Sequence, residues 1–406
     1  MVGYYAWDVN PIDPRSRDRH LQWLLELTQV PTAAGRESRV IAWIRRWVAE
    51  RPSLELREDG AGNLVVHRRG APTAASPVFF TAHLDHPAFV VERVVASGTL
   101  ELSFRGGVMD EYFREARVSV HDARGGRYGG LLGDKLNPPA DGKGGPFPHY
   151  LAELDGSCES IATGDVATWE LPAAEVIDGL VHTHACDDLA AAAAALAAMD
   201  VLISEPPKQD VRLLFTRAEE IGFIGAIASC RAGEPTMPRG SRVLALENSR
   251  AFPESPIGGG PIVRVGDRLS VFTPSLTAAV AKRAEQVAGG PSTVTASQKL
   301  SAAPAWKWQR KLMAGGACEA SVFCHAGYEA TCVCLALGNY HNMGDLAAVQ
   351  AGTNTEPARV AREFIGVSDF HGLVDLLVAC GEELPSGESV GPMVEKLWRE
   401  RAFVLR

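Results

Sequence analysis

Five apolar runs of this chain each give way abruptly to a histidine or a carboxylate, and that recurrence restricts the fold more than any other feature of the sequence. After "PVFFTA" comes His83, then Asp85; after "GLVHTHAC" come Asp187 and Asp188; after "VRLLFTRA" come Glu219 and Glu220. "RVLAL" is followed by Glu247, and "CVCLALGNY" by His341. Short unbroken apolar runs that end in polar residues mark strands buried on both faces. In an open α/β sheet, ligands bind beyond the carboxyl ends of such strands. The pattern predicts one sheet edge that collects two imidazoles and several carboxylates.

The intervening segments fit that frame. Apolar spacing predicts helices over 19–30 ("RHLQWLLELTQV") and 36–51 ("RESRVIAWIRRWVAER"), then strands over 53–59 and 62–69 joined by a Gly-containing turn. From 88 to 178 the texture changes. Short alternating segments such as "FVVERVVASG" and "ARVSVHD" alternate with Gly-rich turns, without a helical period, and "NPPADGKGGPFPHY" (137–150) has the composition of an exposed loop. Beyond the insert, helices are predicted over 188–203, 221–231, 275–288 and 317–326, with strands over 211–216, 242–247 and 330–337 and helices at the C-terminus. The fold class is α/β, a sheet interrupted by a small all-β insert. The expected domains are one unit made of 1–87 and 179–406, with the insert, 88–178, between its halves.

Composition excludes several function classes. The 406 residues carry a formal charge of -9, which argues against nucleic acid or an anionic membrane surface as the main partner. No basic segment leading into an apolar stretch opens the chain, and the Ala-rich "LAAAAAALAAM" is too short and too weakly apolar to span a bilayer. Eight cysteines without paired spacing fit reduced thiols in a cytoplasmic protein. Cys332 and Cys334 alternate with apolar residues in "TCVCLAL", so they and the nearby Cys318 and Cys324 are expected to pack in the core rather than bind metal.

Adjacent carboxylates repel, so Glu219 and Glu220 need a reason. One reading makes them first-turn acids favoured by a helix macrodipole. The other follows from the whole set: two nitrogen and several oxygen donors on one rim suit a borderline divalent metal such as zinc, with cobalt or manganese also suited. A single catalytic zinc takes about three protein ligands and a water, and this rim offers more. Two ions about 3.5–4 Å apart, sharing one carboxylate, use the donors without crowding. Asp187 is the natural bridge, with His83 and Glu247 completing one ion and Glu220 and His341 the other. Glu219, adjacent but not ligating, then serves as general base. Asp85 is expected to accept the other N–H of the His83 imidazole. His182 and His184, on alternate positions of one strand, and His325, at a helix end, are expected to be structural.

These residues resemble the tetrahedral (glutamyl) aminopeptidase family of dinuclear zinc peptidases. The resemblance lies in the order and spacing of "AHLDH", "CDDLAA", "EEIGFIGA" and "NYHNMGD", with support from "GNLVVHRR" and "GGGPIVR", and covers nearly the whole chain. It implies a three-layer α/β/α catalytic domain with a mixed sheet, a barrel-like β insert that mediates dimerisation, and assembly as a dimer or a hollow dodecamer. It also implies two zinc ions on His83, Asp187, Glu220, Glu247 and His341, Glu219 as base, and often a cis bond between Asp187 and Asp188. The chain departs from the family at Glu247, where Asp is commoner, at His86, where an acid is common, at Leu189, and in the Tyr340-His341 pairing. Three rivals remain at this point: a metal-dependent amidase or deacylase on N-acyl small molecules, a glycosidase using Glu219 and Glu247, and a non-catalytic assembly protein.

Overall fold

Asp13 accepts a hydrogen bond from the Ser16 N–H and Pro14 takes the first helical position, so α1 (Pro14–Leu27) begins five residues before its predicted start. The computed structural model describes residues 12–405 except 72–75, 137–145, 157–158, 206, 208, 232–234, 295–303, 305 and 386–389. In α2 (Ser38–Ala49) the buried Val40, Ile44, Trp47 and Val48 form one apolar stripe. A hairpin of β1 (Leu54–Glu58) and β2 (Leu64–Arg68) leads to β3 (Val78–His83), buried at every position.

The insert is a closed barrel. Its strands are β4 (Ala88–Ala96), β5 (Thr99–Arg105), β6 (Arg117–His121), β7 (Arg127–Leu136), β8 (His149–Leu154) and β9 (Val166–Trp169), in the order β4-β5-β8-β7-β6-β9. Phe89, Phe104, Phe113, Tyr150 and Trp169 fill it, with Phe113 stacked on Tyr150 at 4.6 Å. His149 and Tyr150, expected in a loop, start β8; residues 137–145 of that loop lie outside the described residues.

Next come β10 (Glu175–Ile177), β11 (Leu180–Thr183) and α3 (Leu189–Ser204), the last buried along most of its length. The second half continues with β12 (Val211–Thr216), α4 (Ile224–Cys230), β13 (Arg242–Arg250), β14 (Ile262–Asp267) and α5 (Pro274–Ala288). It ends with β15 (Gln309–Met313), α6 (Glu319–His325), β16 (Glu329–Leu337), α7 (Leu346–Ala351), β17 (Glu363–Gly366), α8 (Val367–Glu382) and α9 (Gly391–Arg401). The sequence reading passed over β14 and β15. β14 follows a Gly-rich segment and pairs with both β16 and β15, while β15 is a half-exposed strand at the sheet's edge, where the apolar signal is weak.

Eight strands form a mixed sheet, β1-β2-β12-β3-β13-β16-β14-β15, in which β12, β3, β13 and β16 run parallel. Alternate residues of these strands enter two cores. Phe80, Leu213, Leu244 and Leu335 pack with α1, α2, α3, α5 and α8, while Phe79, Leu214, Val243 and Cys334 pack with α4 and α6. The result is three layers, α/β/α, with the barrel inserted after β3. One expectation is corrected: the "GLVHTHAC" run does not join this sheet. It forms β11 of a separate three-stranded sheet, β10-β11-β17, because only alternate residues of the run are buried and its partner is β17. Among the described residues no helix is long and apolar enough to cross a membrane.

Candidate metal centre

Parallel alignment of the central strands brings their carboxyl ends to one rim. His83 ends β3, level with Thr216 at the end of β12. Glu247 lies inside β13 rather than beyond it, but it stands two residues past the last pairing with β3, where the rim opens. After β16 the chain turns back sharply. Asn339, His341 and Asn342 all take positive φ, near 54°, 55° and 62°, which points His341 over the strand ends. Asp187 arrives from the small sheet, between β11 and α3, and its peptide bond to Asp188 is cis.

Five of the predicted residues converge. His83 Nε2 lies 3.2 Å from Asp187 Oδ1 and 4.0 Å from Glu247 Oε1. His341 Nε2 lies 3.5 Å from Asp187 Oδ2 and 3.3 Å from Glu220 Oε2. The two oxygens of Asp187 thus face different histidines. Asp187 Oδ1, Glu220 Oε1 and His341 Nε2 are buried without an aligned hydrogen-bond partner. Bonds of about 2.0–2.2 Å to a tetrahedral ion set neighbouring ligand atoms roughly 3.3–3.6 Å apart, a range that holds both His341 contacts, while the His83 contacts at 3.2 and 4.0 Å fall on either side of it. Each histidine also points its other nitrogen at a main-chain carbonyl, His83 Nδ1 at Asp85 (3.1 Å) and His341 Nδ1 at Gly107 of the barrel (2.7 Å). Donation there leaves Nε2 free to ligate.

The charge balance also calls for cations. Asp187, Asp188, Glu219, Glu220 and Glu247 crowd around His83 and His341, and among the described residues no Lys or Arg pairs with any of them. Burial pushes the Glu219 carboxyl well above the usual carboxylate range; His83 opposes this, and Glu220, Glu319 and Asp85 add to it. Burial raises Glu247 likewise, reinforced by Asp187, Asp188 and Glu219. Burial also resists ionisation of Asp187, but contact with the His341 and His83 imidazoles outweighs it and holds this carboxyl low. The donor set fits divalent metal ions.

Glu219 and Glu220 are not first-turn acids. They sit in a turn closed by Glu219 C=O accepting from the Gly222 and Phe223 N–H groups, and α4 starts only at Ile224. Asp85 holds that turn. Its carboxylate accepts the Glu219 N–H at 2.9 Å and the Glu220 N–H at 3.0 Å, whereas its nearer oxygen is 3.6 Å from His83 Nδ1. The expected carboxylate–imidazole bond is therefore replaced by one through the Asp85 main-chain carbonyl, because the carboxylate is turned towards the β12 exit. Two glycines of "EEIGFIGA" have a steric reason. Gly222 has φ +112°, and a Cβ on Gly225 would lie 2.4 Å from the Arg217 main-chain nitrogen.

Two supports, Glu363 and Asn248, are absent from the sequence-based set, and Asp188, named there as an acid of the rim, has a supporting role. Glu363, fully buried at the start of β17, accepts the Asp187 N–H at 3.0 Å and the His341 N–H at 2.8 Å. Burial raises its carboxyl to about 7. Asp188 accepts from the His83 N–H and, at 2.8 Å, from Asn248 Nδ2. The only advance signal for Glu363 was an acid opening the apolar "EFIGV", and for Asn248 its place beside Glu247.

A family model described as M42 glutamyl aminopeptidase matches residues 62–288, more than half of the chain. The chain belongs to the M42 glutamyl aminopeptidase family. It is accordingly a metal-dependent aminopeptidase, a hydrolase of peptide bonds. The span matched to the M42 model includes His83, Asp187, Glu219, Glu220 and Glu247, while His341 and Glu363 lie beyond it. The fold is shared with solved aminopeptidases. The TET1 peptidase of Pyrococcus horikoshii is 20% identical, with 90% of this chain and 100% of that chain covered and a TM-score of 0.68. Aminopeptidase APDkam598 of the archaeon Desulfurococcus kamchatkensis is 21% identical over 92% and 99%, also at 0.68. PhTET1-12s, described as a dodecamer, is 21% identical over 90% and 99%, at 0.66.

His182, His184, His325 and the four cysteines between 318 and 334 belong to none of the donor clusters of this M42 chain. His182 stacks on Phe364 at 5.1 Å, His184 Nε2 faces the Pro172 carbonyl at 2.9 Å, and His325 closes α6. Cys318, Cys332 and Cys334 are buried in the core on the α4–α6 side, with Cys324 packed against it.

Proposed function

We propose that this enzyme removes N-terminal residues from peptides with two divalent ions, zinc by the chemistry of the donors, held by His83, Asp187 and Glu247 on one side and by Asp187, Glu220 and His341 on the other. The observation that carries this reading is Asp187, whose two carboxylate oxygens address two separate imidazoles across a rim whose carboxylates, among the described residues, pair with no Lys or Arg. Bound there, the ions would supply Lewis acidity for the scissile carbonyl and the attacking water. Glu219, 3.8 Å from His83 Nε2 and outside both ligand sets, takes the proton of the attacking water. It then passes that proton to the nitrogen of the leaving peptide and returns to the carboxylate. Asp85 orients Glu219 and Glu220 through their main-chain N–H groups, and Glu363 does the same for Asp187 and His341.

Aminoacyl anilides with a free α-amine, compared with their N-acetylated forms, test the substrate class. The free-amine series is expected to be cleaved and the acetylated series left intact, with activity lost to a chelator and restored by zinc or cobalt. Preference for the acetylated series would move the site to the deacylase reading. Chelator-resistant cleavage would remove the metal mechanism.

We further infer self-association through the barrel, whose surface exposes Val94, Val95 and Leu131. Dodecameric and tetrahedral assemblies named for the relatives support this. Light scattering is expected to give a multiple of the 43.4 kDa chain mass, and a monomer at micromolar concentration would discard it.

A further inference from the structure

His86 lies three residues beyond His83, in the loop between β3 and the barrel, and is 5% exposed. Its Nδ1 faces the main-chain carbonyl of Asp187, and its Nε2 lies 3.0 Å from Asn342 Oδ1. The orientation of the Asn342 amide is fixed, since its Nδ2 donates to the His184 carbonyl at 2.8 Å and the Ala361 carbonyl at 3.2 Å. A flipped amide would set oxygen against both carbonyls. Both nitrogens of His86 therefore face oxygen atoms, and the imidazole spans the gap between the Asp187 main chain and the Asn342 amide, with its N–H available to one of them. An acid here, the residue that the family resemblance leads one to expect, would meet those acceptors with acceptors of its own.

The two segments that His86 joins are those that carry Asp187 and His341. Glu363 joins the same segments from the other side, through the Asp187 N–H and the His341 N–H. The His341 segment needs such ties, because His341 and Asn342 both hold positive φ. We propose that His86 is a positioning residue which, through Asn342, sets the spacing between His341 Nε2 and Asp187 Oδ2, 3.5 Å apart. The unusual residue at 86 and the Tyr340-His341-Asn342 ending are then one device: the imidazole bridges the Asp187 main chain to the Asn342 amide oxygen. This inference rests on the two-ion reading.

Cobalt(II) titration of the metal-free protein, followed by visible absorption, tests it. The wild-type protein is expected to bind two cobalt ions in resolvable steps; a single step would overturn the two-ion reading and leave no His341 site for His86 to tune. His86→Ala and His86→Glu are each expected to weaken one step by about tenfold to a hundredfold and leave the other within about threefold. Asn342→Ala should weaken the same step. The double variant His86→Ala/Asn342→Ala should lose no more than the worse single one, since both remove one bridge. kcat should fall with KM nearly unchanged. Wild-type affinity in His86→Glu, equal weakening of both steps in a folded variant, or additive losses in the double variant would each overturn the proposal. Should His86→Ala fail to fold by circular dichroism, His86→Gln, which keeps one donor, carries the same comparison with a smaller loss expected in the same step.

Discussion

Glu219→Gln is expected to keep the full metal content of the protein and to lose about 10²–10⁴-fold in kcat, the range general acid–base catalysis contributes. The substitution is nearly isosteric and leaves the main-chain hydrogen bond from residue 219 to Asp85 intact. None of the proposed ligand contacts is removed, because those fall to Asp187, Glu220 and Glu247 with the two histidines. What disappears is a carboxylate that burial has pushed well up towards the range where it can both take and return a proton. The assay pairs metal analysis with turnover of one free-amine anilide. Turnover within about threefold of wild type, against the range a general base contributes, would exclude Glu219 as the base. Metal lost in step with activity would make it a ligand instead.

Asp187→Asn should act on both ions at once. The amide keeps one oxygen and turns a donor towards either His83 or His341, so it cannot serve both sides. Stoichiometric binding of two ions is expected to fail, and activity to fall by roughly three orders of magnitude or more, the equivalent of about 4 kcal/mol of lost charge stabilisation. Thermal unfolding gives an independent measure. Zinc at about 100 times its Kd adds about 2.7 kcal/mol to a protein that binds it only when folded, which for a chain of this length raises Tm by roughly 3 °C. The wild-type protein should show that rise and Asp187→Asn should not. An undiminished shift in the variant, with two ions still bound, would remove Asp187 from its bridging position.

Particular elements show how far the sequence could be read. β3 and β12 were legible to within a residue or two because burial on both faces leaves an unbroken apolar run, and His83 and the Glu219–Glu220 pair were legible as the polar residues that end those runs. The barrel showed itself as alternation without helical period. Glu363 left no comparable mark. Its role is to hold the N–H groups of residues 187 and 341, and nothing near position 363 records those partners. Asp85 is legible as a support for His83, but its hold on the Glu219 and Glu220 N–H groups is not, since the direction of its carboxylate depends on a turn 134 positions away. The run before Asp187 was recognised as a strand and assigned to the wrong sheet, because its partner β17 lies far along the chain.

The chain's local order therefore determined which kinds of donor stand at strand ends, and with them the α/β class, the β insert and the metal chemistry. Those properties follow from periodicity and from the cost of burying a charge, both of which act over a few neighbouring residues. Tertiary structure alone decided that Asp187 reaches the rim from a second sheet, that Asp85 and Glu363 grip main-chain amides, and that His86 ties Asp187 to Asn342. Apart from the 22-position reach of Glu363 to His341, each of these is a hydrogen bond or strand pairing between segments 100 or more positions apart, and its geometry exists only once the intervening chain has packed.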